Sequence, residues 1–369
     1  MTEDRSFMQL ALDLAKEAQG RTSPNPMVGA LVVRDGQIVG RGFHKKAGSE
    51  HAEVVALREA GEKARGATLY VTLEPCCHYG RTPPCTKAIL RAGIARVVVA
   101  MADPNPLVAG KGIQELRAAG VEVTAGVLGE AAASLNEVFI KYITTGRPFV
   151  SLKMALTLDG KIATTQGDSF WVSGPAARRW VHQLRDRVDA VMVGVNTLLR
   201  DDPLLTTRLE GLKGHDPVRV IVDSRGRTPP TARVLRGESS SPAIIATTPA
   251  ASAEKLEELR RAGAEVLMCR EKSGQVDLPD LFFALGRREI TSLLLEGGPR
   301  LNASALREGL VDKIHFFLAP KVVGGLAAPG PIGDLGIERM PGALAIQDLT
   351  CERVGEDFLL TGYLRGGER

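Results

Sequence analysis

The sequence predicts an α/β protein built from two different domains, and three observations lead there. The 369 residues exceed what one hydrophobic core comfortably organises, and with 44% apolar and 24% charged residues they can bury two. β-rich runs alternate with helical periodicity along most of the chain, the pattern of a largely parallel sheet covered by helices on both faces. At Gly146 a helical run stops, and Arg147-Pro148 opens a new β-rich run. The expected domains are therefore 1–146 and 147–369, with no internal repeat relating them.

Taken in order, apolar residues at helical spacing cover about 5–18, and "RTSPNPMVGA" (21–30) cannot continue that helix. Two β-rich runs flank Asp35-Gly36, the dipeptide of a tight hairpin. A helix at 51–60, a strand at 67–74, a helix at 84–92 and a strand at 96–103 follow. The half ends with a helix at 110–120, a strand at 121–127 and a helix over 130–146. Beyond the boundary, strands are expected at 148–163, 190–195, 218–223, 242–248, 264–269, 292–298 and 313–320, and "ERVGEDFLLTGYLRGG" (352–367) closes the second sheet.

The composition excludes several classes. A net charge of +4 without a long basic run, and 4% aromatic residues, disfavour a nucleic-acid binder and allow a phosphorylated small substrate. No run of eighteen apolar residues occurs, and the first twenty residues read as an acidic-capped amphipathic helix, not as a secretion signal, so no membrane partner is expected. Five cysteines, three of them bunched, make no disulfide framework and fit a reducing, cytoplasmic location.

The bunched cysteines lie in "EPCCHYGRTPPC" (74–85), downstream of "HAE" (51–53). His51, Cys76 and Cys85 supply one imidazole and two thiolates, which on zinc leave a fourth tetrahedral position for water. Glu53, near a helix start, is suited to manage that water's proton. H-x-E followed by P-C and a second cysteine is the zinc deaminase signature, here with eight residues between Cys76 and Cys85. Taken alone His51 is an ordinary helix-end histidine; the company of Glu53 and two cysteines makes it a ligand. Cys77 reads as packing and His78 as a substrate contact, because a tetrahedral ion has no room for neighbours in sequence. Asn25, in a proline-locked turn, can read a heterocycle edge or merely shape the turn. His44, beside Lys45 and Lys46, fits a phosphate or ribose contact or a solvated charge run.

These motifs, with "NPMVG" (25–29), closely resemble the bifunctional riboflavin-biosynthesis deaminase and reductase family, whose long loop between the cysteines separates it from other zinc deaminases. The resemblance implies a cytidine-deaminase-like three-layer first domain with one zinc per chain and a substrate-binding Asn25. It also implies a loop "ADPNPLVAGKG" (102–112) in which Asp103, Asn105 and Lys111 meet ribose or phosphate.

The second half has no G-x-G-x-x-G between a strand and a helix. "LLLEGGPRLNASAL" (293–306) nevertheless runs from a buried strand through two glycines into a helix, a geometry that offers N–H groups to a pyrophosphate, although a plain strand-turn-helix reads the same way. Ser224, Arg225 and Arg227 follow a strand and suit a 2′-phosphate.

"SLKMALTLDGKIAT" (151–164), "GDSFWVSG" (167–174), "RVDAVMVGVNTLLRDDPLLTTR" (187–208), "VDSRGR" (222–227) and "LLEGGP" (294–299) resemble the reductase half of the same family. This implies a dihydrofolate-reductase-like domain that binds NADPH. The family pattern assigns the cofactor to Ala155, Trp171, Thr197, Asp201, Ser224 and the turn of Gly298, Pro299, Arg300, Leu301, Asn302, Ala303 and Ser304. It assigns the substrate to Ser169, Arg185, Leu205, Arg208 and Glu296. Lys153 and Asp201 are the expected catalytic groups of reduction; a surface strand lysine and a helix N-cap are the plainer readings. Arg185 and Arg208 suit a phosphate clamp.

The expected activity is zinc-dependent deamination of a phosphorylated diaminopyrimidine followed by NADPH-dependent reduction of its ribosyl group, in a homo-oligomer with a dimer contact through the reductase domain. The rivals are a nucleic-acid deaminase with an accessory domain, which needs aromatic stacking platforms near the zinc, a zinc-stabilised binding module, which leaves Glu53 without a purpose, and a flavin-dependent reductase.

Overall fold

The structure, a computed structural model, describes residues 3–79, 83–106, 108–211, 214–236 and 239–364. Its two compact units are Met1–Gly146 and Arg147–Arg369. Residues 80–82 of the cysteine loop and residue 107 lie outside the described residues.

The first unit runs α1 (Glu3–Lys16), β1 (Gly29–Arg34), β2 (Gln37–Phe43), α2 (Ala52–Ala60), β3 (Thr68–Leu73), α3 (Cys85–Ala92), β4 (Arg96–Met101), α4 (Lys111–Ala118), β5 (Glu122–Ala125), α5 (Gly129–Leu135) and α6 (Glu137–Thr145). α1 places Glu3 and Asp4 in its first turn and Lys16 in its last, which complements the helix dipole. Asp35 and Gly36, at φ 50° and 70°, make the β1–β2 turn.

The five strands are ordered β2-β1-β3-β4-β5. β1 is antiparallel to β2 and β3, whereas β3, β4 and β5 are parallel. The expectation of a largely parallel sheet thus holds on one side only, because the tight turn at 35–36 reverses the chain.

Strand periodicity makes the three layers. Ala30 and Val32 face Ala52, Ala56, Ile89 and Leu116 of α2, α3 and α4, while Leu31 and Val33 face Met8 and Leu12 of α1 and Ala132 of α5. Two glycines on β2 let α2 approach closely: a Cβ on Gly40 or Gly42 would stand 2.2 Å from the carbonyl of Ala56 or Ala52. That contact fixes the start of α2 against the sheet. The single helix expected over 130–146 is two helices. The buried Asn136, at φ −107° and ψ 22°, departs from helical geometry although its N–H still reaches the Ala132 carbonyl at 3.1 Å, and its side chain brackets Met27, accepting from its N–H at 2.8 Å and donating to its carbonyl at 3.0 Å.

The second unit runs β6 (Phe149–Thr157), α7 (Pro175–Arg185), β7 (Ala190–Gly194), α8 (Val195–Asp201), β8 (Val218–Val222), α9 (Arg233–Arg236), β9 (Ala243–Thr247), α10 (Ala253–Arg261), β10 (Ala264–Met268), β11 (Glu271–Lys272), β12 (Gln275–Val276), α11 (Leu278–Gly286), β13 (Ser292–Leu295), α12 (Pro299–Arg307), β14 (Lys313–Ala319), β15 (Gln347–Val354) and β16 (Asp357–Tyr363). Its nine-stranded sheet is ordered β10-β9-β8-β7-β13-β6-β14-β16-β15. The run from β10 to β14 is parallel, and β16 and β15 add antiparallel.

Both faces of the parallel part are covered. Met192, Val220, Leu293 and Leu295 pack with Phe282 and Leu306 on one face, and Val191, Ile221, Ile245 and Leu294 pack with Leu198 and Leu259 on the other. Strands buried on two faces read as continuous apolar runs, which is why they were legible. Among the described residues no helix is long and apolar enough to cross a membrane.

Candidate active sites

The first site forms where α2 and α3 begin. His51 is the N-cap residue of α2, Cys76 follows β3, and Cys85 is the buried first residue of α3. Their ligand atoms all lie within 4.8 Å of one another. His51 Nδ1 is 3.2 Å from Cys85 Sγ and 3.6 Å from Cys76 Sγ, and the Cys85 backbone N–H points at Cys76 Sγ over 3.4 Å. Zinc bonds of about 2.0–2.3 Å at tetrahedral angles separate their ligands by about 3.5–3.8 Å. The two nitrogen–sulfur separations, 3.2 and 3.6 Å, lie close to that spacing, so the trio fits zinc.

Polarity around the trio favours an ionised ligand. The Cys76 thiol is pulled down to about 4 by its contact with Cys85, and His51 adds to the pull despite burial. Glu53 is 4% exposed, and burial raises its carboxyl pKa, which suits a group that must both take and return a proton. Cys77 stands outside the trio, its thiol raised by burial.

Asn25 reaches this site through His44. Asn25 Nδ2 is 3.0 Å from His44 Nε2, His44 Nδ1 is 3.1 Å from the Glu50 carbonyl, and the rings of His44 and His51 meet edge to face at 5.7 Å. Burial lowers the His44 pKa, so a neutral ring donates from Nδ1 to Glu50 and accepts the Asn25 amide at Nε2. That fixes the amide flip: the Asn25 carbonyl oxygen is the atom left for a ligand. The sequence offers His44 as a phosphate or ribose contact or as part of a solvated charge run; at 3% exposed it is not solvated, and its partner nineteen positions away was invisible. Asp103 is also buried, which raises its pKa to about 6, and His78 is among the charges that oppose the rise.

The second site lies toward the carboxyl ends of the central parallel strands, the usual position for ligands in such sheets. Glu296 follows β13, and its carboxylate takes Arg185 Nε of α7 at 2.7 Å and stands 3.8 Å from Lys153 Nζ of β6. All three side chains are at most 16% exposed. Burial would push the Glu296 carboxyl up, but Arg185 and Lys153 hold it down to about 2. The Lys153 ammonium is lowered chiefly by burial, a shift that makes it a better proton donor.

Arg185 also donates to the Thr206 carbonyl at 3.1 Å, and Arg208 sits against His182, whose Nδ1 accepts the Arg208 backbone N–H at 3.2 Å. Burial and the two arginines push His182 down to about 4. His182 has no distinguishing sequence motif. Leu205, buried with φ 55°, lies between these groups in the chain.

Beside this cluster two strand-to-helix turns stand next to each other, because β7 and β13 are neighbours. Gly194 precedes α8 and Gly298 precedes α12, both extended and neither helix carrying a side-chain cap. A Cβ on Gly298 would come within 3.3 Å of Thr197 Oγ1. The paired uncapped turns and the tight glycine fit the diphosphate of a dinucleotide such as NADPH. Within 298–304, Asn302 and Ala303 are buried, and Asn302 donates to the Pro331 carbonyl at 2.9 Å, so these two support the turn from beneath.

The remaining candidates have local partners of their own. Trp171 is exposed, with the Arg178 guanidinium 4.5 Å over its ring, and Ser169 is half-buried two residues before it. The Ser224 hydroxyl accepts from Val276 N–H at 3.0 Å. Both Asp201 oxygens are engaged by the adjacent Arg200, at 2.8 and 3.2 Å. Lys153 is thus gathered with Glu296 and Arg185, whereas the Asp201 carboxylate is tied to its neighbour.

Residues 148–360 match the family described as RibD C-terminal domain, and residues 1–101 match the cytidine and deoxycytidylate deaminase zinc-binding region. Riboflavin biosynthesis protein RibD from Synechocystis sp. is 48% identical over 368 residues, covering 100% of this chain and 98% of the relative. The protein of that name from Escherichia coli is 41% identical, covering 97% and 98%. Among solved structures, RibD of Acinetobacter baumannii superposes with a TM-score of 0.88 at 40% identity, covering 99% of each chain. A diaminohydroxyphosphoribosylaminopyrimidine deaminase/5-amino-6-(5-phosphoribosylamino)uracil reductase of Thermotoga maritima gives 0.85 at 37% identity, covering 98% and 99%.

Proposed function

The chain belongs to the RibD family of riboflavin biosynthesis proteins, and we propose that it carries out two consecutive steps, deamination in residues 1–146 and reduction in residues 147–369. The first is hydrolytic deamination of 2,5-diamino-6-ribosylamino-4(3H)-pyrimidinone 5′-phosphate, which consumes water and releases ammonia. The second reduces the ribosyl group of the product to ribityl with NADPH. The observation that carries the reading is the trio His51, Cys76 and Cys85, three ligand atoms within 4.8 Å beside the buried Glu53.

His51, Cys76 and Cys85 would hold zinc, which when bound supplies a Lewis acid that brings a water toward neutral pKa. Glu53 takes one proton from the attacking water and gives it to the ring nitrogen, then takes the second from the hydroxyl so formed and gives it to the amine, which leaves as ammonia while the carbonyl forms. Asn25, oriented by His44, accepts from the pyrimidine edge. In the reductase unit Thr197 and the turn at 298 would hold NADPH, which supplies the hydride for C1′. Lys153 protonates the heteroatom released there, and Glu296 and Arg185 hold the ammonium and the sugar in line. Arg208 meets the terminal phosphate.

A second copy of the chain is the partner this reading favours, through the reductase unit. β15 is the edge strand of the large sheet, and Leu349, Phe358, Met340 and Leu344 are exposed along and near it; an uncovered apolar edge of this kind invites pairing. Unpaired cysteines throughout favour a cytoplasmic location.

The test is a coupled assay on the zinc-bound protein. Ammonia release without NADPH, then NADPH oxidation once it is added, is the expected sequence; ammonia without oxidation would contradict the second half, and no ammonia the first. Light scattering should return twice the mass of one chain.

A further inference from the structure

Glu74 is a buried carboxylate, 3% exposed, that the two-step reading leaves without a role. It lies between β3 and the zinc ligand Cys76, and it accepts three main-chain N–H groups from the segment that follows β4. Oε2 accepts Asp103 N–H at 3.1 Å and Gly110 N–H at 2.9 Å, and Oε1 accepts Ile113 N–H at 3.1 Å. Gly110 is the N-cap of α4, at φ 85°, and offers no side-chain cap of its own. The carboxylate therefore caps α4 from another strand, where the helix dipole favours a negative charge.

The fit is close on the other side as well. A Cβ on Gly112 would lie 2.1 Å from the Pro75 carbonyl and 3.2 Å from Glu74 Oε1, so the first turn of α4 lies directly on the Glu74-Pro75 backbone. At the far end of the loop, Asp103 is held at its N–H by Glu74, and its own Oδ1 accepts Asn105 N–H at 2.9 Å. Charge-assisted bonds to buried N–H groups are among the strongest available to a loop. One side chain thus fixes both ends of the segment bearing Asp103 and Asn105 to the strand end that carries Cys76.

We propose that Glu74 is a positioning residue of the deaminase, mooring Asp103 and the Gly110–Ile113 turn so that Asp103 and Asn105 meet the phosphoribosyl part of the substrate. This rests on the deaminase reading above. It differs from a purely structural cap in what it affects: substrate affinity in one unit, with the zinc and the other unit left as they are.

The test is Glu74→Gln in the full chain. The amide keeps the size of the carboxylate but replaces an acceptor with a donor facing N–H groups. With zinc still at one per chain, KM for ammonia release should rise about tenfold or more while kcat stays within about twofold. NADPH oxidation on supplied deaminated intermediate should not change. An unchanged KM in the zinc-bound variant overturns the proposal. Should the variant lose zinc or fold, amide exchange in the unaltered protein decides: Asp103, Gly110 and Ile113 N–H must be protected, and exchange at free-peptide rates overturns the mooring. An unaltered, zinc-bound protein that releases no ammonia counts against the deaminase reading alone, since amide exchange judges the mooring separately.

Discussion

The two units assemble their polar centres over very different stretches of chain. In the first, His51 lies 25 positions from Cys76 and 34 from Cys85. In the second, Arg185 and Glu296 are 111 positions apart. Short metal–ligand bonds demand specific donor types at helix starts and strand ends, so such a centre leaves a compact motif. A buried ion-pair cluster needs only common charged residues brought together by a parallel sheet, whose neighbours are far apart in sequence. The first kind of centre advertises its chemistry; the second shows it only after folding.

The contrast can be broken by experiments on either side. The largest expected effect is that of Glu53→Gln, which should slow ammonia release by roughly 10²–10⁴-fold, while NADPH oxidation on supplied intermediate changes less than about twofold. Loss of both would mean that the centres are not separable.

Next comes Glu296→Gln, which leaves Lys153 and Arg185 buried without their shared anion and should cost about 3–5 kcal/mol. Both tryptophans, Trp171 and Trp180, lie in the second unit, so their fluorescence in a urea titration reads its unfolding. Ammonia release should persist in this variant.

Acid sharpens the comparison, because two carboxylates shift in opposite directions. Glu296 drops from an ordinary 4.5 to about 2. Its contribution, roughly 3 kcal/mol, is therefore present above pH 4.5 and disappears as pH falls toward 2. Asp103 rises from 3.8 to about 6, chiefly through burial; its contribution is present below 3.8 and is lost as pH rises through 6. Tryptophan-detected stability should consequently hold down to about pH 4.5 and decline below it, an acid loss that Glu296→Gln should remove. A loss beginning near pH 6 would place the responsible group elsewhere.

Smaller still, Asn25→Ala should raise KM for ammonia release about tenfold, the worth of one buried hydrogen bond to a base edge, with zinc content unchanged. Cys77→Ala should alter neither zinc content nor either rate by more than about twofold, since Cys77 stands outside the ligand trio. A drop in zinc content on that change would reopen the ligand assignment.

Much of this architecture was legible because local rules and the fold agree. α1, expected over 5–18, runs from Glu3 to Lys16, and the turn at Asp35-Gly36 falls where its residue types require. The break at Asn136 was not legible: helical periodicity continues across it, and its cause is the bracketing of Met27, 109 positions away. The mixed first sheet was obscured for a related reason, since strand direction depends on pairing and not on composition. At the sites, spacing alone pointed to His51, Glu53, Cys76 and Cys85, which the fold brings together, whereas Lys153 and Glu296 were pointed to only by family resemblance. His182 and Glu74 were missed because each acts on main-chain N–H groups of a distant segment, a role that any acceptor side chain can take. Asp201, expected in catalysis, is paired with Arg200.

The separation of the two centres is the claim on which the rest depends, and a chelator tests it most directly. Zinc is stripped from the full chain, its loss measured by atomic absorption, and both rates are followed, with the deaminated intermediate supplied for the second. Ammonia release should disappear and return with added zinc, while NADPH oxidation continues at its original rate throughout. NADPH oxidation that falls and recovers in step with zinc would contradict the account.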